Sequence, residues 1–230
     1  NFKKVIVFGF IEQNEVKSRQ ENDFFFLNKW TKKIIEISSS DDSEVYSTLN
    51  GLDFSDKDSL NILVDYSSMS RLWYSGILNW LKFNDKFSTV TIDFCYSVGE
   101  YKTNIPPLNV EKIITIPGCE GSISSFTKSI AIFGLGFDGS STLWALDRLE
   151  PDIVFSFYAN PSIFPDYPEI TRRNNNELLL EYTKAAIEVP LLSCETTFRY
   201  LGELVSTYLN NSDITIIPMG PKPHILVAIL

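Results

Sequence analysis

The residues best equipped for chemistry stand where apolar runs break into small, polar turns. Ile216-Ile217-Pro218-Met219-Gly220-Pro221-Lys222-Pro223-His224 sets one lysine in a glycine–proline turn. Backbone amides and an ammonium group in such a turn suit a small anion. Val64-Asp65-Tyr66-Ser67-Ser68-Met69-Ser70-Arg71 places a carboxylate at a strand end, then hydroxyls, then a cation. Ser67 and Ser68 with nearby amides fit a phosphate or ribose, and Arg71 would neutralise its charge. The alternative is that Asp65 or Ser67 caps a helix and Arg71 is solvated.

Gly134-Leu135-Gly136-Phe137-Asp138-Gly139-Ser140-Ser141 satisfies G-x-G-x-x-G. Glycines let amides approach a phosphate, and the start of a helix favours negative charge. Asp138 inside the loop would repel a pyrophosphate, and neither Asp147 nor Asp152 stands where a dinucleotide fingerprint needs its acidic partner. The alternative is a tight turn in which Asp138 or Ser140 caps the helix. Tyr96 and Tyr101 offer flat faces for a base, or else rim packing. Glu100 offers an acceptor for ribose or base, and Asn160 serves either a ligand or a turn.

No catalytic constellation is complete. His224 is the one histidine, no G-x-S-x-G elbow occurs, and Cys194 at a helix start has no histidine near it in sequence. Cys95, Cys119 and Cys194 form no metal-ligand spacing, so neither metal nor cofactor is expected. Their sparse, odd count suits a reducing cytoplasm. A net charge of −9 argues against non-specific grip on nucleic acid. No apolar stretch reaches the roughly 20 residues of a membrane helix.

The elements that must hold these turns alternate. Short runs rich in Val, Ile and Phe predict strands over 4–10, 61–65, 89–96, 112–116, 129–133, 152–158, 186–191 and 213–217. They are mostly continuous, as expected of parallel strands buried on both faces. Helices are predicted over 71–81, 141–149, 175–183 and 195–209, with Ser193 as an N-cap and Glu150-Pro151 as a stop. The polar stretches 12–21 and 38–58 read as loops or peripheral elements. Together these make an α/β fold of βα units, in one domain over 1–230 whose two halves join near 117–127. In such sheets ligands bind beyond the carboxyl ends of the strands. The chain stops inside an apolar, helix-like run, 223–230, which implies further residues or a covering partner.

The turn at Gly220-Pro221-Lys222-Pro223 resembles the glycine–lysine turn of CARF-type domains, the Rossmann-like ligand sensors of prokaryotic antiviral systems. The usual threonine or glycine before the lysine is Pro221 here. The resemblance implies a Rossmann-like, mostly parallel sheet flanked by helices, a homodimer, and a cyclic or linear oligonucleotide bordered by Gly220, Lys222 and Pro223. It puts Asp65, Tyr66, Ser67 and Ser68 on a neighbouring crest. The expected function is a sensor or regulatory module for a small anionic or nucleotide ligand. Two alternatives are an enzyme acting on a nucleotide or sugar phosphate through Asp65, Glu100 or Asp138, and a subunit of a larger assembly.

Overall fold

A computed structural model describes residues 3–54, 59–100, 112–122, 126 and 128–230, in an α/β fold of Rossmann-like character. Every strand ladder is parallel and helices flank the sheets. The chain forms two compact units: residues 1–95 with 116–118, and residues 96–115 with 119–230.

In the first unit, β1 (Val7–Phe10) pairs with β2 (Ile34–Ile37) through α1 (Lys17–Lys29). After α2 (Ser43–Asn50), β3 (Ser59–Asp65) pairs with β4 (Thr89–Cys95) through α3 (Arg71–Lys82). Trp73 anchors this unit. Its buried ring stacks on Phe10 at 4.3 Å, and its indole N–H donates to the Ser38 and Asp41 carbonyls at 3.0 and 2.9 Å. The partner carbonyls matter because a buried indole N–H left unpaired would offset much of what the ring contributes.

Two sequence expectations are decided here. Of the two readings of the polar stretches, loops or peripheral elements, the second holds, since both contain helical residues. α1 buries none of its residues and carries the i,i+4 pairs Lys17–Glu21 and Arg19–Asp23, so no apolar stripe marks it. α2 does carry a buried i,i+4 pair, Val45 and Leu49. β3 and β4 are also not continuously buried. Asn61, Leu63 and Asp65 lie exposed opposite Thr91, Asp93 and Cys95, leaving one face of this ladder open.

The second unit runs β5 (Ser129–Gly134), α4 (Gly139–Leu149), β6 (Ile153–Ala159), α5 (Tyr167–Asn174), a π-helical turn at Leu178–Tyr182, β7 (Thr183–Val189), α6 (Cys194–Tyr208), β8 (Asp213–Pro218) and α7 (Lys222–Ile229). Its strand order is β7-β6-β5-β8. The chain therefore winds outward from β5 and then returns to lay β8 on the other side of β5. Alternate β5 residues feed two cores, which is why β5 and β6 read as unbroken apolar runs. Ile130 and Ile132 pack with Phe157, Leu201 and Val227, while Ala131 and Phe133 pack with Ala145, Val154 and Leu178. Each such fully buried Ile, Leu, Val or Phe contributes about 1.5–3 kcal/mol before entropy is counted.

Ser193 caps α6 as expected, accepting from the Thr196 amide. The helix expected over 175–183 is present, in π-helical form over Leu178–Tyr182, and ends where β7 begins at Thr183. Residues 112–116 form no strand; Ile113 and Ile114 are exposed and no ladder partner lies beside them among the described residues. Strand propensity without a neighbour does not make a strand.

Candidate functional site

The strand order of the second unit reverses between β5 and β8, and that is where an open α/β sheet forms its ligand crevice. Two glycine turns meet there. Met219 N–H donates to the Gly134 carbonyl at 2.8 Å, extending the ladder past the strand ends. A Cβ on Gly136 would overlap the Met219 carbonyl oxygen, and one on Gly220 would come 2.9 Å from the Leu135 carbonyl. One on Gly134 would come 2.8 Å from the Phe157 ring, and one on Gly139 would overlap the Asn174 carbonyl. The glycines of the G-x-G-x-x-G run are thus accounted for by close packing within the protein. The amides of Asn174 and Asn175 hold the loop from behind, donating to the carbonyls of Phe137 and Gly136 at 2.7 and 2.8 Å.

The start of α4 is already filled. Asp138 is its N-cap; the Ser141 amide and the Ser140 and Ser141 hydroxyls all donate to its carboxylate. Burial pushes this carboxyl up, but those hydrogen bonds outweigh it and hold the group below the usual range. A fixed negative charge therefore occupies the position a phosphate would take. α7 differs: its N-cap is Pro221, which supplies no side-chain cap.

Between the two turns lies a cavity of about 180 Å³. Leu135, Gly136 and Phe137 form one wall, and Met219, Gly220 and Pro221 a second. Ala159 and Ser162 follow β6, Tyr167 and Thr171 come from α5, Leu191 follows β7, and Tyr96, Val98 and Gly99 close the ring. The Tyr167 hydroxyl donates to the Gly99 carbonyl at 3.3 Å, and its ring meets Phe137 edge-on at 4.9 Å. Burial and the neighbouring Tyr167 push the Tyr96 phenol above its ordinary range, so it stays protonated at neutral pH. No described lining residue carries a charged side chain. The Thr171 side chain is buried, and neither its hydroxyl nor that of Ser162 has a hydrogen-bond partner among the described residues.

Of the residues singled out in sequence, Tyr96, Gly136 and Gly220 line this one cavity. Lys222 is half-buried and opens α7, one residue past the lining residue Pro221. Glu100 is exposed, one residue past Gly99. Asn160 donates to Glu188 at 2.7 Å, beside the Tyr158 hydroxyl, which donates to the same carboxylate at 2.6 Å. Those two bonds, that from Tyr158 foremost, hold Glu188 below the usual carboxylate range.

Asp65, Ser67, Ser68 and Arg71 belong to the first unit. There Asp65 accepts from the Ser67 amide at 3.1 Å, and the cap of α3 is Ser70, accepting from the Trp73 amide. Ser68 and Arg71 are exposed. Tyr101 lies outside the described residues. Sequence reasoning missed Tyr167 and Thr171 as lining residues, and Asn174 and Asn175 as supports. The one visible signal was the unusual Asn174-Asn175-Asn176 run after α5.

Among the described residues no three of His, Cys, Asp and Glu gather as metal ligands, and no helix is long and apolar enough to cross a membrane. Comparison with known proteins finds no matching family model, no matching curated protein and no matching solved structure.

Proposed function

We propose that the second unit is a sensor or regulatory module for a nucleotide-type ligand, held at the β5–β8 crests. The observation that carries this is the convergence of Tyr96, Gly136 and Gly220, from three separate strand ends, on one cavity at the strand-order reversal. The cavity has aromatic walls and two unpartnered hydroxyls, which is the profile of a binding site. A small ligand could then bias the packing of the interlocked turns, as a regulatory site requires. The resemblance of Gly220-Pro221-Lys222-Pro223 to CARF-type turns extends this reading to a cytoplasmic dimer in bacterial antiviral defence. Lys222 and the start of α7 adjoin the cavity and suit a phosphate on the ligand's outer end.

The test is thermal unfolding with a panel of nucleosides, nucleotides and short oligonucleotides. At about 100 times Kd, a true ligand raises the unfolding temperature by about 5 °C or more. Ser162→Trp, which fills the cavity from a half-exposed position, should abolish the shift without lowering the ligand-free unfolding temperature. No turnover of the ligand should appear by chromatography. A panel that shifts nothing, or a shift that survives Ser162→Trp, overturns the reading.

A further inference from the structure

The chemistry of the cavity wall narrows the ligand beyond its general class. Its size comes first. At about 180 Å³ it is slightly larger than the engineered cavity of about 150 Å³ that takes one benzene ring. One ring system of nucleobase size fits; a dinucleotide does not.

Charge comes second. No described lining side chain is ionised, Tyr96 is held in its neutral phenol form, and the helix start nearest Gly136 is filled by the Asp138 carboxylate. A phosphate placed inside would lose its hydration and meet no cation, which costs several kcal/mol. Hydrogen-bonding capacity comes third. Thr171 is only 6% exposed, yet its hydroxyl meets no protein group among the described residues. Its oxygen is not among the buried side-chain atoms left without a partner, so it opens onto the cavity and offers one donor and two acceptor sites to a ligand. Ser162, half-buried, adds a second hydroxyl to the lining. The rings of Phe137 and Tyr167 add apolar and π surface.

We infer that the cavity takes the uncharged, planar heterocycle of the ligand and reads its polar edge through Thr171 and Ser162, leaving any phosphate outside. This rests on the ligand-binding reading above and says which part of the ligand the cavity selects. Recognition is then a matter of ring shape and hydrogen bonds, with charge a secondary contribution at the rim.

Titration calorimetry on the full chain separates the cases, with adenosine, guanosine, cytidine and uridine, their 5′-monophosphates, ribose 5-phosphate and inorganic phosphate as probes. At least one nucleoside should bind, its monophosphate should lie within about threefold of it, and the last two probes should not bind. Thr171→Val, which keeps the shape of the side chain, should weaken the nucleoside roughly three- to tenfold and leave thermal unfolding unchanged. Phe137→Ala should weaken it by about tenfold or more. Binding of monophosphates without nucleosides, or Thr171→Val binding as well as wild type, overturns this inference and leaves the site standing. Binding of no probe at all overturns both.

Discussion

Gly136 and Met219 meet backbone to backbone: a Cβ added to Gly136 would overlap the Met219 carbonyl oxygen. The reciprocal contact sets Gly220 against the Leu135 carbonyl, so the turns after β5 and β8 are locked by two glycine–carbonyl approaches. This lock shapes the cavity between them. It also explains why glycine recurs there without a pyrophosphate to bind.

Gly136→Ala should therefore be severe for a one-methyl change. The overlap is with backbone, which cannot swing aside as a side chain can, and overpacking of this kind costs about 1–3 kcal/mol. Urea unfolding should show the lower midpoint, and nucleoside binding should fall in protein that remains folded. Alanine at Gly202, where an added Cβ meets nothing within 4 Å, is the control and should be neutral or stabilising.

Asp138→Ala removes the cap of α4 and should cost about 1–2 kcal/mol. It also leaves a bare helix N-terminus, so added sulfate should recover part of the loss. Sulfate should do much less for the wild type, whose own carboxylate fills the site. Equal sulfate responses in the two proteins would contradict that assignment.

His224 sets a pH dependence. It is 1% exposed, and burial lowers its pKa from 6.5 to about 4, against the small opposing effect of a bond to the Pro190 carbonyl. The unfolded chain therefore binds more protons between these values than the native protein does. Stability from this group is full above about pH 6.5 and is lost as the pH falls towards 4, amounting to about 3 kcal/mol. His224→Met should flatten the urea midpoint between pH 6.5 and 4.5. The lowered carboxylates, such as Asp138 and Glu188, act mainly below about pH 4.5 and should change that window little.

Glu150 ends α4 in the left-handed region, with φ of 43°, where a side chain is unfavourable by about 1 kcal/mol. Glu150→Gly should raise stability by about 0.5–1 kcal/mol, seen as a higher unfolding temperature. A loss would show that the Glu150 side chain has a favourable role that outweighs its backbone strain.

What was readable in the sequence follows from burial. β5 and β6 are covered on both faces by their own unit, so their apolar runs are unbroken and end in a glycine turn or a polar break that marks the crest. α1 left no signal because its apolar residues, Phe24-Phe25-Phe26-Leu27, run consecutively instead of at helical spacing, and none of them is buried. β2 has only four residues. For the site, strand-end logic reached Tyr96, Gly136 and Gly220. It could not reach Thr171, which comes from a helix face, or Asn175, whose side-chain amide acts 39 residues from the Gly136 carbonyl it holds. Such pairings are tertiary and leave no local spacing to read.

The most direct measurement is a two-dimensional amide NMR titration of the full chain with the tightest-binding nucleoside. Binding at the β5–β8 crests should move the amides of Gly99, Gly136, Phe137 and Gly220 while those of Ser67, Ser68 and Arg71 stay still. Shifts centred on Ser67–Arg71, or none at saturating concentrations of all four nucleosides, would contradict the placement of the site.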